Sequence, residues 1–203
     1  MRLGLLAYGL DRPLTGIGRY TVELARALAR LEPKPNLTLL TAGEPAALGS
    51  ANGYTRVPLR GCRLLPALIT LGNVLIPQAS RRAHLQVIHD PTGVTPFLFG
   101  AGEARMVVTI HDVFAWSCPG NSTVLDTMIY RHWLPRLLPR VDAVITDSHC
   151  SKADIVRYLS MPPAKVHVIP LGINAIYRPA LLTALAEIRT RYGLPEHFLL
   201  FVG

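Results

Sequence analysis

Four short segments of this sequence carry side chains whose type and spacing could do chemistry. The first is Thr15-Gly16-Ile17-Gly18-Arg19-Tyr20, which lies between an apolar run and an amphipathic one. Glycines at such a place let the backbone approach an anion, while a helix beginning there offers free N–H groups and a positive dipole end. A phosphate or diphosphate is the natural ligand of Gly16 and Gly18. A dinucleotide fingerprint is a poor match, because Thr21 stands at the third glycine position and no acid ends the next strand near Thr41. The second and third segments are His-Asp pairs, Thr109-Ile110-His111-Asp112 and His89-Asp90-Pro91-Thr92, each closing an apolar, β-rich run. A metal-dependent hydrolase reading of these pairs is set aside. Adjacent residues at a strand end point apart, further ligands at sensible spacing are missing, and no Asp-x-Asp occurs to hold a metal against a nucleotide. The fourth segment, Asp147-Ser148-His149-Cys150-Ser151, resembles a nucleophile beside a base, but Asp and Ser after a strand are ordinary helix caps.

The elements that must position these residues alternate between apolar runs and helical patterns, the signature of a parallel sheet covered on both faces. Strands are expected at Arg2–Tyr8, Leu37–Thr41, Tyr54–Pro58, Gln86–His89, Met106–Ile110, Asp142–Thr146 and Val166–Ile169. Ile17, Tyr20, Leu24, Leu28 and Leu31 recur at three and four and predict a helix after the glycine loop. A helix kinked at its prolines is expected over Cys62–Ala83, another over Val124–Arg140, and a third after a Ser148 cap through Leu159. The turn Pro170–Asn174 is expected to use Gly172 for a positive φ. Residues 1–178 thus read as one Rossmann-like, doubly wound α/β domain. Residues 179–203 read as a linking helix ended by Gly193, followed by a strand, His197–Gly203, that would open a second domain.

Composition limits the partners. The 21 basic and 13 acidic residues give +8, and all but Lys34, Lys152 and Lys165 of the basic residues are arginine. This balance suits an anionic partner, or else reflects an arginine-rich surface. The basic, aromatic stretch Tyr130–Arg140 could lie on an anionic bilayer or form a solvated face over buried leucines. Nucleic acid is not expected, because no predicted exposed sheet interleaves arginines with aromatics. Cys62, Cys118 and Cys150 share no metal or redox spacing and read as small core residues in a reducing compartment. Neither a secretory signal nor a membrane span is read, so a cytoplasmic protein is expected, with peripheral contact at the inner face of the membrane left open.

In order along the chain, these segments resemble the family-4 glycosyltransferases of the two-Rossmann, or GT-B, architecture. Thr15–Tyr20 resembles the family's Gly-Gly-Ile-Gly-Arg-Tyr loop, departing at Thr15. Thr109–Val113, with Pro119 beyond, resembles its central His-Asp motif, and Ile145–Ser151 its Ser-x-x-Ser helix start. Val168–Asn174 is similar to its Ile-Pro-Asn-Gly-Val-Asp turn, with Leu171 for Asn and Asn174 for Asp. Phe198–Gly203 is similar to the strand that opens the second domain.

The resemblance implies that the chain is the acceptor-side half of an enzyme moving a sugar from a nucleotide-sugar donor to a saccharide or lipid-linked acceptor. It implies retention of configuration, with no metal or other cofactor. Gly16 and Gly18 would cover the donor diphosphate, and His111 would sit beside the transferring sugar as the catalytic candidate. Asp90, Thr92, Asp112 and Ser148 are the acceptor-side candidates. The family's donor-gripping basic pair and spaced glutamates are not in these residues, so the 203-residue chain alone is expected to transfer no sugar. The alternative is a non-catalytic module that binds an acceptor or a membrane surface.

Overall fold

A computed structural model describes residues 1–48, 53–94, 96–117, 127–174, 176–179 and 182–201. The chain divides into two compact units, Met1–Pro170 and Leu171–Gly203. The first unit is a seven-stranded sheet in the order β3-β2-β1-β4-β5-β6-β7, every pair parallel. The strands are β1 (Arg2–Ala7), β2 (Asn36–Thr41), β3 (Tyr54–Pro58), β4 (Val87–Asp90), β5 (Arg105–Thr109), β6 (Ala143–Thr146) and β7 (Val166–Val168). All seven strands expected within residues 1–178 are present, with ends shifted by a residue at most. The doubly wound α/β class follows.

Side-chain alternation shows why both faces are covered. On β1 and β2, Leu3, Leu5, Leu37 and Leu39 point into one core with Val22 and Ala25 of helix α1 (Gly16–Leu28). Leu6 and Leu40 point the other way, into a core with Leu68 of α2 (Leu65–Thr70) and Ile76 of α3 (Gly72–Arg82). A strand apolar on both faces cannot leave either one in water, so helices must cover both. A third core joins Val108, Val144 and Val166 of the sheet to Leu134 and Ile155.

Several expectations needed correction. The Thr15–Tyr20 segment is a helix start rather than a loop, with Thr15 as the N-cap and Gly16 as the first helical residue. Helix α1 buries Gly18, Thr21, Val22 and Ala25, whereas Ile17 is 38% exposed and Leu31 lies beyond its end. Small residues on that stripe let the helix backbone close on the sheet, so the bulkier residues flank the contact. The Cys62–Ala83 helix is two helices, parted at Leu71.

Of the expected Val124–Arg140 helix, the part before Thr127 lies outside the described residues. The remainder passes from a π-helical stretch, Ile129–Trp133, through α5 (Leu134–Leu137), into a 3-10 turn, Leu138–Arg140. The prolines Pro135 and Pro139 each remove a backbone donor there. A short helix, α4 (Phe114–Ser117), follows β5. Cys62 is buried as expected, Cys150 is exposed, against expectation, on the first turn of α6 (His149–Leu159), and Cys118 lies outside the described residues.

The second unit holds α7 (Leu182–Tyr192), closed by Gly193 at φ 59° with Leu194 N–H donating to Arg189 O. Gly172 does not adopt a positive φ, contrary to expectation. Nor do residues 197–201 form a strand, because no backbone among the described residues pairs with them.

Candidate functional site at the carboxyl ends of the strands

In this strand order the topology reverses between β1 and β4, and ligands of such sheets bind outside the carboxyl ends at that switch. The chain places a polar cluster there. β5 and β6 run in register, with Val107 opposite Ala143 and Thr109 opposite Ile145. Carried two residues further, that register brings His111 level with Asp147. Their side chains meet, His111 Nδ1 lying 2.7 Å from Asp147 Oδ2. The other ring nitrogen, Nε2, lies 3.2 Å from the carbonyl oxygen of Pro91, which follows β4. His111 is half-sheltered, its side chain 18% exposed.

Tyr20, on the second turn of α1, packs its ring against His111. Its hydroxyl lies 3.4 Å from Thr109 Oγ1. The same Thr109 oxygen is 2.8 Å from Nε2 of His89 on β4. His89 is buried, and burial, with His111 nearby, pushes its pKa from 6.5 down to about 4. It is therefore neutral at ordinary pH. Burial raises the Tyr20 pKa, partly offset by the hydrogen bond with Thr109 and reinforced by the Asp147 charge.

The remaining candidates differ in what holds them. Thr15 Oγ1 accepts from Gly18 N–H at 3.2 Å, so Gly18's donor is already engaged. Gly18 is buried, and a Cβ there would come within 3.2 Å of Leu14. Gly16 is different: a Cβ would meet nothing within 4 Å among the described residues, and its φ is not positive. The N–H groups of Gly16 and Ile17 stand in the helix's first turn, where no intrahelical acceptor exists. Arg19, one turn on, is exposed.

Asp90 is fully buried, and its Oδ1 accepts from Thr92 N–H at 2.9 Å and Thr92 O–H at 2.6 Å, tightening the turn that presents Pro91. Asp112 is exposed and accepts from Phe114 N–H at 2.9 Å. Ser148 caps α6, accepting from Ser151 N–H at 3.0 Å, as its position after a strand predicts. The structure thus gathers His111, Thr109, Tyr20 and the Pro91 carbonyl, with α1 leading back to Gly16. Asp112 turns to the backbone beside them.

Asp147, Tyr20, His89 and Thr109 were not among the sequence-derived site residues. Asp147 read as part of a helix cap, and only the register of β5 with β6 shows that it faces His111. Among the described residues no three His, Cys, Asp or Glu side chains converge as a metal site, and no helix is long and apolar enough to cross a membrane.

Known structures share this architecture. WaaG, a glycosyltransferase involved in lipopolysaccharide biosynthesis, superimposes with a TM-score of 0.66 at 13% identity over 96% of this chain and 52% of its own. HepE of Anabaena, solved with UDP, gives 0.64 at 14% identity over 95% and 50%. At such identities the likeness concerns the fold. In sequence, the O-antigen chain mannosyltransferase B of Escherichia coli is 25% identical over 205 aligned residues, covering 94% of this chain. That alignment takes in 52% of the mannosyltransferase, so the chain spans about half the length of the curated relative it matches. Residues 14–176 match the profile of Glycosyltransferase Family 4, and the chain belongs to that family.

Proposed function

We propose that this chain is the acceptor-side domain of an enzyme that transfers a sugar from a nucleotide-sugar donor to a glycan or lipid-linked acceptor with retention. The observation that carries the reading is Gly16. Among the described residues neither packing nor backbone conformation requires a glycine there, yet its missing side chain leaves the two N–H groups that lack intrahelical acceptors open at a helix start. A diphosphate oxygen fits that place, since the N–H groups and the helix dipole both favour negative charge. HepE, of the same fold, is described in complex with UDP and with UDP-glucose, which supports a nucleotide-sugar donor. His111 would lie beside the transferring sugar, where charge on the leaving diphosphate must be stabilised. Thr92, Asp112 and Ser148 follow the same strand ends on the acceptor side, with buried Asp90 acting there through its bonds to Thr92. The reaction as read draws on no metal or organic cofactor.

Residues 179–203 then lead into a donor-binding domain, and the 203-residue chain alone transfers nothing. The test is to incubate the protein encoded by the full native reading frame, and separately this chain, with a panel of labelled nucleotide sugars and lipid-linked acceptors. Transfer by the longer protein only is the expected result. A native frame that stops after Gly203, or transfer by the short chain, would refute the reading.

A second reading concerns location. Phe99 is 68% exposed on the loop after β4, and Arg140 donates to Leu98 O at 2.8 Å, which seats an arginine beside it. With a net charge of +8, that pair suits peripheral contact between a cytoplasmic enzyme and an anionic bilayer. Co-sedimentation with anionic vesicles that survives Phe99→Ser and Arg140→Gln together would count against it.

A further inference from the structure

The hydrogen bonds of His111 contain more than its position. Its Nδ1 faces a carboxylate and its Nε2 a backbone carbonyl. Both partners are acceptors: an ionised carboxylate has no proton to give, and a carbonyl oxygen never has one. A neutral imidazole carries a proton on one nitrogen only, so one of these contacts would set a lone pair against a lone pair. Both contacts are hydrogen bonds only when the ring holds two protons. We propose that Asp147 is a positioning residue that holds His111 as an imidazolium, making it a fixed positive charge rather than a general base. This role rests on the glycosyltransferase reading above.

The surroundings agree from every side. Asp147 comes from the end of β6, one residue before the Ser148 cap of α6, where the positive end of the helix dipole favours a carboxylate. Pro91 O comes from the turn after β4, fixed by the two bonds of Asp90 Oδ1 to Thr92. Tyr20, from α1, presents its ring to the imidazole and spends its hydroxyl on Thr109. His89, the nearest other base, is buried, bonded to Thr109 and neutral, so it neither repels the imidazolium nor takes its proton. Asp112, the next residue along, is committed to Phe114 N–H.

With both nitrogens protonated, His111 offers no lone pair to accept a proton from an acceptor hydroxyl. What it offers is a hydrogen-bonding cation. The longer of its two bonds, to Pro91 O, is the one an incoming anionic oxygen would displace, while Asp147 keeps the ring in place. A phosphoryl oxygen that gains charge as the sugar departs is the matching partner, and such preorganised charge acts without reorganisation during the reaction.

Ring-nitrogen NMR of histidine-labelled chain near neutral pH, about 7, tests this without any turnover. His111→Gln identifies the His111 signals by their loss. The expected wild-type spectrum shows both His111 nitrogens protonated, while His89 shows one. In Asp147→Asn the amide can donate to Nδ1, so His111 is expected to collapse to a single neutral tautomer. Asp147→Glu, which keeps the charge, is expected to restore the doubly protonated ring, and Asp147→Ala, which removes the carboxylate altogether, serves as the reporter if the Asn variant folds poorly. A wild-type His111 carrying one proton, or one that stays doubly protonated when the Asp147 carboxylate is removed, would overturn the proposal. In the full-length enzyme, Asp147→Asn is expected to lower kcat about 10- to 100-fold, by analogy with other groups that orient a functional histidine, with little change in donor KM. Loss of all transfer activity in the wild type would instead refute the glycosyltransferase reading and leave the NMR result standing.

Discussion

The ring of Tyr20 meets the imidazole of His111 edge to face, 4.8 Å between centroids and 89° between planes. This contact joins two of the motifs that the sequence keeps some ninety residues apart, the helix start after β1 and the end of β5. Tyr20 shares α1 with Gly16, so the contact also sets where the open helix start lies relative to the histidine.

Removing the two parts of Tyr20 separately should show which one matters. Tyr20→Phe keeps the ring contact and loses only a long bond to Thr109, so its stability cost is expected below about 1 kcal/mol. Tyr20→Ala also removes a half-buried ring, and roughly 2–3 kcal/mol is expected, less than for a fully buried aromatic. Urea unfolding of the three proteins gives the comparison. Equal losses in the two variants would show that the hydroxyl, not the ring, anchors α1 to the strand ends.

Glycines 16 and 18 should respond in opposite ways. An alanine at Gly16 meets open space in an αR helix turn, so stability should hold or rise by a few tenths of a kcal/mol, up to about 1. An alanine at Gly18 presses on Leu14 at 3.2 Å, and a loss of about 1–2 kcal/mol is expected. If the Gly16 opening receives a diphosphate, Gly16→Ala should weaken nucleotide-sugar binding in the full-length enzyme at least about tenfold, a change worth about 1.4 kcal/mol. Calorimetric titration would measure this. Unchanged binding would place the diphosphate elsewhere.

His89 predicts how stability follows pH. Its folded value, about 4, lies below the ordinary 6.5, so between those values the unfolded chain binds the extra proton. The contribution of neutral His89 is complete above about pH 6.5 and is lost as pH falls toward 4, amounting to about 3 kcal/mol. His89→Gln should flatten that slope in denaturation midpoints recorded across the window. A slope unchanged by the substitution would assign the acid sensitivity to other groups.

Ser148 separates a cap from an acceptor contact. Loss of its bond to Ser151 N–H in Ser148→Ala should cost about 1 kcal/mol of stability. Ser148→Asp restores an N-cap acceptor and should recover most of it. If the hydroxyl also touches the acceptor, the Asp variant will be stable yet show a raised acceptor KM. A normal KM would leave Ser148 a cap alone.

The strands were legible in the sequence because a buried parallel strand has to be apolar on both faces. Leu3, Leu5 and Leu6, like Leu37, Leu39 and Leu40, announce that whatever lies beside them. The Ser148 cap was legible for a similar reason, since its partner is three residues away. Helix faces were harder to read. Ile17 and Leu31 looked like core because of their type, but Gly18, Thr21 and Ala25 carry the close contact because they are small. The strand expected at His197–Gly203 is not formed over the described residues 197–201, since a strand needs a neighbour, which local composition cannot supply.

Order and register are where the tertiary structure decided. The sequence by itself determined a parallel, doubly covered sheet, a glycine-containing segment after its first strand, and His111 and Asp112 just past the end of β5. It did not determine that β5 lies beside β6 with Thr109 opposite Ile145, and so it could not show Asp147 against His111. Nor did it reveal that Gly16 is open while Gly18 is packed and bonded. Backbone propensity and burial are local properties written in each segment. The meeting of side chains thirty-six or more residues apart depends on which strands pair and how far each helix sinks onto the sheet, and packing of the whole domain sets both.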